Sequence, residues 1–327
     1  MNLLRFKNIR VLFALFLSVG LFVCQDALAL SSHKKESLAY GHYMKGVLSD
    51  RFGDTLQAID AYKKALKFDP NSILINFHLA VDYIKLEKLE DAIRQLKAIN
   101  KVDSNDIDAK ILLSVIYSSQ GKDTQAAEEY QKALETAARL NPKNVNIYHS
   151  LGKLYYQQKK FDRAIEVYKM IINLMPEDSM AHFFLGLLYE EKTNIKDAIE
   201  ELKQSVKLNP EFADALNSLG YIYAEQGINL AEAETMIKKA LLIQPENPAY
   251  IDSLGWVFYK MGRVDEAIIE LEKAVSLLSD PEIHDHLGDA YFKKNNLDKA
   301  KEQWKKSIEL DPAREEVNDK IKRLGSE

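Results

Sequence analysis

The segment Glu282–Phe292, EIHDHLGDAYF, sets His284 and His286 among Glu282, Asp285 and Asp289, residue types that bind metals or move protons. Joint ligation needs both imidazoles to reach one point. On a helix, residues two apart are rotated by about 200°, so these two rings point to opposite sides and cannot hold one ion. Asp285 and Asp289, four apart, share a face instead. The other histidines are scattered as His33, His42, His78, His149 and His182. The chain has no G-x-S-x-G, no H-E-x-x-H, no phosphate-binding glycine loop with Lys and no dinucleotide fingerprint. The expectation is a protein that is not an enzyme, with no catalytic residue, no metal site and no cofactor.

The elements that position these side chains repeat along the chain. AIDAYKKALKFDP from Ala58, AIEVYKMIINLMP from Ala164, AIEELKQSVKLNP from Ala198 and AETMIKKALLIQP from Ala233 are one motif. Counting back from each alanine gives eight repeats starting at residues 39, 73, 107, 145, 179, 213, 248 and 281, spaced by 34, 34, 38, 34, 34, 35 and 33 residues. Position 20 is alanine in all of them: Ala58, Ala92, Ala126, Ala164, Ala198, Ala233, Ala267 and Ala300. Position 8 is glycine or small, as a close helix crossing requires, while Leu at position 7 and an aromatic at position 11 fill the space beside it. Prolines fall at repeat boundaries, and Gly53, Gly121, Gly227 and Gly262 mark turns inside repeats.

Period and motif resemble the tetratricopeptide repeat family over residues 39–314. The resemblance implies an all-α fold, a right-handed superhelical solenoid of about eight helix pairs, with residues 315–327 as a charged C-terminal capping helix and tail. Three departures stand out. Four extra residues near Thr136–Arg139 should lengthen the second helix of repeat three by one turn, and one extra residue between Gly227 and Ala233 should be absorbed in a turn. Repeat one carries Lys45 and Ser49 at normally apolar and aromatic positions, as suits an N-terminal cap.

Ahead of the repeats, Arg5, Lys7 and Arg10 precede an apolar run from Val11 to Cys24, followed by Ala27 and Ala29. That is the layout of a secretory signal peptide, residues 1–29, with residues 30–38 as a short linker. The run is shorter than the roughly 20 residues a spanning helix needs. An uncleaved N-terminus would instead leave a weak membrane attachment. Cleavage removes the single cysteine, Cys24, so no disulfide or thiolate chemistry is available, and leaves 41 basic residues against 48 acidic ones. Nothing basic dominates, which disfavours nucleic acid. The expected location is the periplasm.

Function in a solenoid is read from its faces. Positions 4, 7, 8 and 11 of each first helix face the partner helix, and the family resemblance places positions 2, 5, 9, 12 and 13 on the concave groove where partner segments bind. Repeats two, three and five put apolar residues there: Phe77, Val81 and Ile84; Ile111 and Val115; Phe183 and Leu187. The alternative is that positions 5 and 9 help adjacent repeats stack. Repeats six to eight set Asn217 and Tyr221, then Asp252, Trp256 and Tyr259, then Asp285, Asp289 and Phe292 on the same side, which suits a segment carrying Lys or Arg. In this frame His284 is a core residue, His286 is flanking, and the two carboxylates aim into the groove. The Lys, Arg and Asn clamp with which some family members bind acidic C-terminal peptides is absent.

The last three repeats, with LNSLGYIYAEQGINLAEAETMIKKAL, PENPAYIDSLGWVFYKMGRVDEA, DPEIHDHLGDAYF and EQWKKSIEL, are similar to exported bacterial members of the family. Some of those are envelope adaptors of carboxyl-terminal processing proteases. The resemblance implies a scaffold that binds other envelope proteins or their extended segments; a structural subunit of a pilus or exopolysaccharide export machine is the alternative. The apolar repeats also offer a surface for a homo-oligomer.

Overall fold

A computed structural model describes residues 31–324, and all regular structure among them is helical. The expected signal peptide and residues 325–327 lie outside the described residues. The chain divides into two compact bodies, one ending at Pro142 and one beginning at Lys143. The N-terminal body holds α1 (31–51), α2 (Thr55–Leu66), α3 (Ile73–Lys85), α4 (Leu89–Val102), α5 (Ile107–Ser119) and α6 (Asp123–Leu140). The C-terminal body holds α7 (Val145–Gln157), α8 (Phe161–Leu174), α9 (Ser179–Glu191), α10 (Ile195–Leu208), α11 (Ala213–Glu225) and α12 (Leu230–Ile243). It continues through α13 (Pro248–Lys260), α14 (Val264–Leu277), α15 (Pro281–Lys293), α16 (Leu297–Leu310) and α17 (Glu315–Leu324).

From α3 to α15 each odd-numbered helix packs on the even-numbered helix that follows, and each body is a stack of such pairs. First helices are started by side-chain caps: Ser72, Asp106, Asp178, Asn247 and Asp280 each accept a hydrogen bond from a backbone N–H of the first turn. Pro248 and Pro281 occupy the first turn, where a missing N–H costs nothing. Close crossing then explains the small residue at position 8. A Cβ on Gly255 would lie 2.7 Å from Leu271 Cγ, so the facing helix rests directly on the α13 backbone.

The turn within each repeat is set by conformation more than by composition. Gly53, Gly121, Gly227 and Gly262 take positive φ, but Glu87, Lys159, Thr193 and Asn295 take it at the same repeat position without glycine. Sequence reading marks four of these eight turns and misses the others. The extra residue of repeat six sits in its turn, where Asn229 is also left-handed (φ 48°) and α12 starts one position late. In repeat three, α6 is lengthened to 18 residues, and Ala126 is only half-buried whereas the other alanines at its position are at 0% exposure. Residues 31–38, expected as a linker, are helical and extend α1 backwards. At the other end α17 buries Val317 and packs Ile321 and Leu324 on the core.

Candidate partner-binding surface

In the N-terminal body the groove positions are apolar and partly open. Phe77 and Ile84 pack against the core and are half-buried, as is Val81, while Ile111 and Val115 on α5 are exposed. A polar network that sequence reading missed lies behind α3. Asp82 is fully buried, with Lys85 Nζ 2.7 Å from its Oδ1 and 3.1 Å from Asp50 Oδ1; the Tyr62 hydroxyl donates to Asp50 Oδ2 at 2.8 Å. Burial, opposed by Lys85 and reinforced by Asp50, pushes the Asp82 carboxyl up to about 6.

In the C-terminal body the same helical faces close on themselves. Trp256 of α13 stacks with Tyr259, at 4.7 Å and 5°, and with His286 of α15, at 4.0 Å and 14°. His286 Nδ1 lies 3.0 Å from Asp252 Oδ1, and all three of Trp256, His286 and Asp252 are buried. Two expectations are thereby corrected. His286 is not flanking but central, and Asp252 faces this imidazole rather than an incoming ligand. Burial opposes a charge on His286, yet Asp252 holds its pKa above the ordinary value; burial pushes the Asp252 carboxyl up against the pull of His286. His284 is core, as its helix position implied, with Nδ1 2.7 Å from Gln303 Oε1.

Asp285 and Asp289 share a face, but that face is occupied. Lys320 of α17 places Nζ 2.7 Å from both Asp285 Oδ1 and Asp289 Oδ1, and Arg314 Nη2 is 3.1 Å from Asp285 Oδ2. The Trp304 indole donates to Asp289 Oδ1 at 3.0 Å. Asp285 is buried, so the expected open carboxylate pair is corrected to an internal ion cluster made by the capping helix. Beside it, Tyr259, Asp289, Phe292, Trp304, Lys320, Arg323 and Leu324 line a pocket of ≈ 320 Å³, of which Phe292 and Arg323 are the exposed members. Phe183 is likewise buried, against Phe212 at 4.9 Å, and Leu187 is partly buried beside it.

Between these filled regions lies a part of the face that carries excess negative charge. The Tyr221 hydroxyl donates to Glu282 Oε1 at 2.6 Å, and the Trp256 indole donates to Glu225. Lys260 meets Glu225 at 3.6 Å and lies over the Trp256 ring at 4.7 Å. Glu190 is paired with no cation among the described residues. Burial first, then Glu191, Glu282 and Glu225, pushes its carboxyl up to about 7. Asn217, half-buried on α11, leaves its Oδ1 without a partner. Glu190, Glu225 and Glu282 stand at positions 12, 13 and 2 of their repeats, which the helical frame already puts on the groove face; sequence reading passed over them, and only the stacking of repeats shows that they converge.

Residues 79–324 match the family model described as the Cilia and flagella-associated protein 70 C-terminal domain, and residues 39–72 match that of the tetratricopeptide repeat. The chain belongs to this family of tetratricopeptide repeat proteins. Among relatives, the Photosystem I assembly protein Ycf3 of Prochlorococcus marinus is 26% identical over 156 residues, 43% of this chain and 70% of that one. The protein O-mannosyl-transferase TMTC1 of Homo sapiens is 28% identical over 151 residues, which span only 17% of its length. Among solved structures, the APC/C hetero-tetramer Cut9-Hcn1 gives a TM-score of 0.57 at 18% identity, covering 83% of this chain and 52% of that chain. PilW, a type IV pilus biogenesis factor, gives 0.54 at 19% identity, covering 66% of this chain and 98% of that one. These likenesses establish the fold, an all-α superhelical tetratricopeptide solenoid.

Proposed function

We propose that this tetratricopeptide repeat protein is an exported scaffold or adaptor of the bacterial cell envelope that binds a basic, extended segment of a partner protein. The observation that carries this reading is the excess acidic charge around Tyr221, where Glu190, Glu191, Glu225 and Glu282 converge and Lys260 pairs with Glu225. A lysine or arginine entering there relieves like-charge repulsion that the folded chain otherwise carries, and the half-buried Tyr221 supplies a ring beside it. The N-terminal layout of residues 1–29 supports export. The resemblance of the last three repeats to envelope adaptors points to a carboxyl-terminal processing protease as a partner class.

Affinity purification of the tagged full chain from envelope extract, read by mass spectrometry, tests this. Glu190→Lys combined with Glu282→Lys is expected to abolish recovery of the principal partner and to leave the helical content near wild type. High salt should weaken capture by the wild type. Undiminished recovery with the doubly reversed variant would sink the assignment of the site.

A further inference from the structure

We infer that the outer face of α1 lies on an anionic lipid surface. One side of this helix is protein core: Ala39 and Ser49 are buried, and Tyr43 and Val47 pack on the cluster of repeats one to three. The opposite side carries Tyr40, Met44 and Leu48, four residues apart each time, and Phe52 in the turn that follows and Leu56 on the first turn of α2 are exposed as well. These five are 37–83% exposed, with Phe52 the most open. A spacing of four drifts by only about 40° per step, so the three helical side chains form one apolar stripe, and Phe52 stands just beyond its C-terminal end. The first repeat of a solenoid ordinarily turns a polar face outward at this edge. Here the stripe is uncovered among the described residues.

Two observations select the occupant. The stripe is bordered by Lys34, Lys35, Lys45 and Arg51, all exposed, whereas Asp50 is turned inward to Tyr62 and Lys85. Glu36 is the one exposed acid of α1; Asp54, exposed between Phe52 and Leu56, is engaged as the N-cap of α2, accepting from the Gln57 N–H. This basic, amphipathic edge stands on a chain whose formal net charge is −5. It complements anionic headgroups, with the apolar ridge entering the acyl boundary and the lysines and the arginine reaching back to phosphate. It suits a second copy poorly, because antiparallel self-pairing along the ridge sets basic flank against basic flank. The second observation is the chain that precedes α1. The apolar run of residues 11–24 ends shortly before residue 31, so lipid is the nearest apolar phase to this stripe while that run is retained. None of this depends on the acidic face proposed for partner binding, which lies on other helices.

Depth-dependent fluorescence quenching on the full chain tests it. On a Cys24→Ser background, an environment-sensitive dye is placed by Leu48→Cys, by Phe52→Cys, and by Leu242→Cys as an exposed control of the C-terminal body. The protein is reconstituted in phosphatidylcholine vesicles with and without phosphatidylglycerol, each containing spin-labelled lipid. Quenching at positions 48 and 52 should exceed that at 242 several-fold in the anionic vesicles, and should fall when Lys45→Glu and Arg51→Glu are added. If the preceding segment merely tethers an upright α1, position 52 stands about 30 Å beyond residue 31 and goes unquenched, which overturns the inference. A dimer in sedimentation with equal, low quenching at all three positions assigns the stripe to a second copy and equally overturns it.

Discussion

Positions 5 and 9 of repeat three are Ile111 and Val115, exposed by 39% and 58%; the same positions of repeat seven are Asp252 and Trp256, each exposed by 6%. The helical frame puts all four on one kind of face, so the frame alone does not decide what they do. In repeat seven the next repeat brings His286 onto Trp256 and into contact with Asp252, and Tyr259 closes the stack. A polar and an aromatic residue have thus become core, while two aliphatic residues have been left at the surface. Binding capacity in a repeat solenoid therefore sits where neighbouring repeats fail to supply a partner, whatever the hydrophobicity of the position.

The strongest way to break this comparison is Trp256→Ala. If the side chain were a groove residue waiting for a ligand, melting would barely change. Because it is buried and stacked on two rings, its removal should cost about 3–5 kcal/mol and visibly lower the melting temperature of the full chain. Lys320→Met comes next. It leaves Asp285 and Asp289 with Arg314 as the remaining nearby cation; with Lys320 itself partly exposed, the loss should be about 2 kcal/mol. Adding Asp285→Asn should recover part of it in a double-mutant cycle, and strict additivity would refute the ion cluster.

Glu190→Gln probes the part of the face that stays open. The folded-state carboxyl is raised from its ordinary 4.5 to about 7, so the folded protein binds more protons than the unfolded chain in that window. Stability contributed by this group is present below pH 4.5 and is lost as pH rises through 7. The glutamine variant should therefore melt higher than wild type at pH 8, by about 1 kcal/mol after solvent screening, and equally at pH 4.5. His286 acts with the same sign: its raised value means that its contribution is full below its ordinary 6.5 and declines above it.

Much of the fold was legible because its determinants are local and periodic. Alanine at position 20 and a small residue at position 8 report a helix crossing, and α3, α5, α7, α9, α11, α13 and α15 begin on the residues where the repeat frame starts. What was not legible depended on contacts across repeats. His286 and Asp252 are 34 residues apart, Lys320 and Asp285 are 35 apart, and no pattern within a single helix announces either pair. The members of the acidic cluster around Glu190 stand at groove positions of the frame, but their convergence comes only from stacked repeats, and the frame assigns Asp252, Asp285 and Trp256 to an open groove although neighbouring elements cover them. Turns without glycine were missed for another reason: position 15 demands positive φ, and Thr193 adopts it at a local cost that composition does not reveal.

The smallest stability effect is the most specific test of the open face. Val115→Ser with Ile111→Ser removes two exposed aliphatic side chains from α5, and nothing in the N-terminal body is stacked on them among the described residues. Each change should alter stability by less than about 0.5 kcal/mol, within the range of ordinary surface substitutions. Recovery of the wild-type protein's principal partner should nevertheless fall, and because this part of the face is apolar, the component lost should be the one least sensitive to salt. A large drop in melting temperature would instead place these residues in core packing, and repeats three and seven would then differ in side-chain chemistry and not in openness.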